Sequence, residues 1–72
     1  MDLMEISEKE VLSREAAAAR LHALADALAK DNEVEFERGG LRIKVHVPDE
    51  VRFKLEVEIE DEGSELEVEL TW

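Results

Sequence analysis

From Glu33 to Trp72, apolar and charged residues alternate almost without interruption. Successive side chains of a β-strand point to opposite faces, so a period of two calls for strands with one apolar and one charged face. Val34 and Phe36 fall on one side, and Glu33, Glu35 and Glu37 on the other. Gly39-Gly40 reads as a two-residue hairpin turn, since glycine tolerates the positive φ that such turns require. That loop sets Phe36 against Ile43 and Val34 against Val45. On the outer face it sets Glu37 against Arg42, Glu35 against Lys44 and Glu33 against His46. Turn and charge therefore agree on one register.

The alternation continues beyond this hairpin. Leu41, Ile43, Val45 and Val47 face inward until Pro48-Asp49-Glu50 turns the chain. A long third strand then places Val51, Phe53, Leu55, Val57 and Ile59 inside. Asp61-Glu62-Gly63-Ser64 supplies another turn, and Leu66, Val68, Leu70 and Trp72 complete the apolar face. Setting Glu60 opposite Glu65 brings Glu58 to Glu67, Glu56 to Glu69, and Phe53 to Trp72. Met4 and Ile6 alternate within residues 1–7, which suggests an additional N-terminal edge strand.

Residues 13–30 carry the opposite period. Ala17, Leu21, Leu24 and Leu28 recur at helical spacing and form one apolar stripe. Ser13 is a good N-cap and Glu15 favours the positive end of the helix dipole. Leu12 and Ala17 sit where a hydrophobic staple would form. Asp31-Asn32 ends the helix, with Lys30 near its negative end. The expected fold is α+β: one N-terminal helix packed on one face of a four-stranded antiparallel meander, in a single domain spanning residues 1–72. A second helical stripe, Ala16, Ala19, Ala23 and Ala27, could admit a neighbouring helix. Helix propensity at exposed positions explains it more simply.

Length and charge then bound the function. Seventy-two residues lie near the lower limit for a core without staples, and there are no cysteines to form disulfides or thiolate metal sites. Two histidines leave little for zinc. Twenty acids against nine bases give a net charge of −11, which disfavours nucleic acid and anionic membranes alike, since both are gripped by Lys and Arg. No apolar run approaches the ~20 residues of a membrane span. The acidic start, Met1-Asp2-Leu3-Met4-Glu5, does not look like a signal peptide, so the expected location is the cytoplasm.

Several segments in order resemble the amphi-Trp domain family. They are Ser13-Arg14-Glu15-Ala16-Ala17, Leu24-Ala25-Asp26-Ala27-Leu28, Val47-Pro48, the run Leu55-Glu56-Val57-Glu58-Ile59-Glu60, and Leu66-Glu67-Val68-Glu69-Leu70-Thr71-Trp72. The similarity spans nearly the whole chain and includes the terminal Trp. It implies a small prokaryotic or archaeal domain, and it implies no activity, cofactor or catalytic residue.

The residues themselves show no catalytic constellation. Ser7, Ser13 and Ser64 have no histidine partner in a recognisable pattern, and Gly39-Gly40 joins strands rather than opening a helix onto a phosphate. His22 stands four residues before Asp26, where an ordinary i,i+4 contact accounts for it. Three surface features carry weight instead. Arg42, Lys44, His46, Arg52 and Lys54 would form a basic patch on adjacent strands, able to dock an acidic segment or a phosphorylated ligand unless Glu33, Glu35, Glu37 and Glu56 neutralise it. Glu56, Glu58, Glu60, Glu65, Glu67 and Glu69 form an acidic field, read as a solvated face rather than a cation site. Trp72, sharing the parity of the inner residues, is expected beside Phe53 as a core anchor, with a partner anchor as the other reading.

The resulting expectation is a non-catalytic protein-interaction module without catalytic residues, metal or cofactor, with a homodimer among its possible forms. The alternative is a small-ligand or divalent-cation binding domain using the charged outer sheet face.

Overall fold

A computed structural model describes residues 4–72. Residues 4–13 have no regular structure, and residues 1–3, part of the expected edge strand, lie outside the described residues. The first helix, α1, spans Arg14–Asp31. Ser13 caps it: its backbone is extended and its Oγ accepts the N–H of Ala16 at 3.0 Å. Asn32 ends it in the left-handed conformation (φ 40°), which Asn adopts more readily than other side-chain-bearing residues. Two contacts tie down the N-terminal segment. The Arg38 guanidinium donates to the Ser7 carbonyl at 3.2 Å, and Glu10 pairs with Arg20 on the helix.

β1 (Glu33–Arg38) and β2 (Leu41–His46) form the first hairpin. Gly39 and Gly40 turn with φ of 59° and 79°, in open space, so glycine is needed there for backbone conformation rather than for room. The register is the one that turn and charge require: Phe36 faces Ile43, Val34 faces Val45, and Glu37, Glu35 and Glu33 face Arg42, Lys44 and His46. Beyond the ladder, the Val47 N–H donates to the Asn32 carbonyl at 2.9 Å. This bond holds the end of β2 against the end of the helix. The two buried side chains of the described residues flank it, Val34 at 7% exposure and Val47 at 6%. Ala27, Leu28, Phe36, Ile43 and Val45 are half-buried, while the rest of the Leu stripe, Leu21 and Leu24, stays exposed.

β3 (Arg52–Glu60) and β4 (Gly63–Thr71) form the second hairpin, and here the structure departs from the expected meander. The four strands make two separate two-stranded sheets, β1-β2 and β3-β4. No Cα of β3 or β4 lies within 8 Å of a Cα of the helix or of the first hairpin's strands. The chain leaves β2 through Val47 and Pro48, and Pro48 has no N–H to continue a ladder.

The second register also differs. A tight turn at Asp61-Glu62 sets Glu60 against Gly63, two residues from the expected pairing. Faces are preserved by an even shift, but partners change. Phe53 now faces Leu70, Glu58 faces Glu65 and Glu56 faces Glu67. Glu69 gains Lys54 opposite it, so one expected like-charge pair becomes an attractive one.

The whole is open. Its radius of gyration is 14.2 Å, against roughly 11 Å for a compact chain of this length.

Candidate interaction surface

The second hairpin owes its character to strict alternation. Phe53, Leu55, Val57 and Ile59 on β3 and Leu66 and Val68 on β4 share one side, and every one of them is exposed. Phe53 is 66% exposed and Ile59, near the tip, 81%. Soluble monomers seldom leave an apolar strip of this extent in water. At its base the strip turns into a groove of about 740 Å³, walled by Leu24 and Leu28 of the helix, Val51 of the connection, and Phe53, Val68 and Leu70.

Trp72 and Phe53 are not a core anchor in this chain. Trp72 follows the last pair of the hairpin, Arg52 with Thr71, and is 55% exposed. Parity places Phe53 on the apolar side, as expected. The helix that was to cover that side lies on the first hairpin instead, so both rings remain in solvent.

The basic patch is likewise not assembled. Arg42, Lys44 and His46 stand on β2, Arg52 and Lys54 on β3, and these strands belong to different sheets. Local carboxylates approach two of the cations. The Arg42 Nε lies 3.5 Å from Glu35 and 3.9 Å from Glu37, and the Lys54 Nζ lies 3.1 Å from Glu56. All of these groups are exposed, so each such pair contributes only about 0–1 kcal/mol.

The outer face of the second hairpin is acidic. Glu58 with Glu65 and Glu56 with Glu67 stand directly opposite one another. Near the tip, Glu58, Glu60, Glu62, Ser64 and Glu65 surround a shallow depression of about 350 Å³. Among the described residues, no three His, Asp or Glu side chains are grouped so as to hold a metal ion. Like charges in opposite positions destabilise a ladder. Glu65→Lys is therefore expected to stabilise the hairpin by roughly 0.5–1 kcal/mol. The gain should be visible as a higher urea midpoint of the strand circular dichroism, and should shrink as salt screens the face. A lowered midpoint would mean that these carboxylates are held by something other than each other, such as a bound cation.

Alternation alone implies a covered apolar face, whereas this one is open. A signal was available. A helix is about 10 Å across, whereas four strands at ~4.8 Å spacing make a sheet roughly 19 Å wide. One helix covers about half of it.

Among the described residues no helix is long and apolar enough to cross a membrane. Residues 2–72 match the family model of the Amphi-Trp domain. No curated protein and no solved structure matches the chain.

Proposed function

The chain belongs to the Amphi-Trp domain family, and for this member we propose a non-catalytic protein-interaction module whose contact surface is the apolar face of the second hairpin. One observation carries the reading: a strip from Phe53 to Ile59 on β3, with Leu66 and Val68 beside it, is exposed along its whole length. Apolar area in water is a standing free-energy cost of about 25 cal/mol per Å², which a protein partner removes by covering it. The charged outer face keeps the hairpin soluble and limits contact to one side. Both histidines are exposed, and the carboxylates spread along flat strands rather than converging in a cleft. We propose a cytoplasmic location as well, which a fluorescent fusion would check.

Site-specific photocrosslinking in the source cells tests the contact surface. A photoreactive residue at Leu55 or Val68 is expected to give covalent adducts with a protein, and one at Glu58, on the opposite face, is not. No adduct from either apolar position would overturn the proposal.

A further inference from the structure

The exposed face says more about its partner than that it is apolar. An 18-residue helix is about 27 Å long and 10 Å wide, enough to cover β1 and β2 but not two further strands. Folding the second hairpin back within the chain would therefore leave much of an apolar sheet bare. A lone two-stranded hairpin is also marginal in water at best. A partner from outside the chain would complete it.

The accessible surface sets the size of that completion. It is 6928 Å², whereas a compact 8.2 kDa chain would expose about 4,500 Å². Burying even half of the roughly 2,400 Å² excess on each of two copies would remove about 2,400 Å² in total. That lies in the range of obligate homodimers, which begins near 2,000 Å².

Charge distribution points to what fits. No charged side chain interrupts the strip, so nothing on it selects a partner of opposite sign. A uniformly apolar face is complementary to itself, as the two-fold axis of a dimer demands. Glu56, Glu58, Glu67 and Glu69 all project from the other side. Packing the apolar faces together sends both acidic fields outward, where water and salt screen them. Pairing strand edges instead would lay the two acidic fields side by side.

We propose that the apolar face of β3 and β4 is covered by a second copy of this chain, in a two-fold symmetric dimer. This inference rests on the interaction reading above and names its partner. Because each copy carries a net charge of −11, the dimer tightens as salt rises, opposite in sign to binding driven by a basic partner.

The test uses the purified full chain. Light scattering and sedimentation are expected to give twice the 8.2 kDa chain mass, with dissociation on dilution and tighter association when sodium chloride goes from about 0.05 M to about 0.5 M. Val57→Glu combined with Leu66→Glu places two carboxylates on facing positions of the strip. The dissociation constant should rise at least about a hundredfold, because each would be buried without a partner. If that variant does not fold, isotope-filtered NMR on a mixture of labelled and unlabelled wild type decides. Methyl contacts from Leu55, Val57 or Leu66 to the other copy support the dimer, and contacts confined to one chain overturn it. A wild type of single-chain mass overturns the dimer as well. If Leu55 photoadducts to a different protein are then found in cells, the interaction reading survives with another partner. If none are found, both fail.

Discussion

Trp72→Ala is expected to leave the helix and strands of the dissociated chain unchanged while weakening self-association about 30-fold or more. Trp72 lies just past the last pair of the second hairpin, and over half of its surface is in water. Truncating an exposed ring costs a folded chain little, so stability of the single copy should hardly respond. At an interface the same ring is a rigid apolar anchor, and anchors of this kind commonly cost 2 kcal/mol or more to remove, about a 30-fold change. The wild type supplies its own probe. It has one Trp and no Tyr, so its near-ultraviolet emission reports this position directly. Below the dissociation constant the emission should be that of a solvated indole, strongly quenched by acrylamide. A neutral quencher is required, since a net charge of −11 repels iodide. Raising the protein concentration should shift the emission to the blue and reduce quenching. Blue, unquenched emission at every dilution would place Trp72 in the core of its own chain, against this account.

The parts of the fold legible in sequence are those where two independent constraints meet. The helix is bounded by Ser13, whose hydroxyl takes the Ala16 N–H, and by Asn32, whose left-handed backbone few other side-chain-bearing residues favour. The first hairpin is fixed by Gly39-Gly40 and again by the match of Glu33, Glu35 and Glu37 to His46, Lys44 and Arg42. The second hairpin has only its alternation. A period of two is unchanged by a two-residue slip, so Asp61-Glu62-Gly63-Ser64 was compatible with more than one loop. The observed register uses the shorter one and places Gly63 in β4. The same blindness affected the surface. Parity tells which side of a strand is apolar, but neither which strand lies beside it nor what lies over it. Hence Phe53 keeps the apolar face that parity gives it, while neither it nor Trp72 has the covered environment of a core anchor. Arg42, Lys44 and His46 were joined to Arg52 and Lys54 by a strand pairing that does not form.

Amide hydrogen exchange separates the two hairpins and gives the largest expected contrast in the molecule. Opening free energies in a native protein run from near zero, where few apolar contacts hold the backbone, up to the global stability. β1 and β2 are tied to the helix through Val34, Val47 and the bond from the Val47 N–H to the Asn32 carbonyl. Their amides should be protected at any concentration at which the chain is folded. β3 and β4 are hydrogen-bonded only to each other, in a two-stranded sheet carrying facing carboxylates. In the dissociated chain their amides should exchange within about tenfold of an unstructured peptide, as expected of a two-stranded sheet that is marginal alone. Association adds stability by mass action, and a free concentration a thousand times the dissociation constant contributes about 4 kcal/mol. Protection of β3 and β4 should thus climb by up to about a thousandfold across a dilution series while that of β1 and β2 holds steady. Mass spectrometry of peptides from residues 52–60 and 63–71 would follow it. Strong, concentration-independent protection of those peptides would mean that the second hairpin is completed within one chain, and neither the open apolar face nor the dimer built on it would stand.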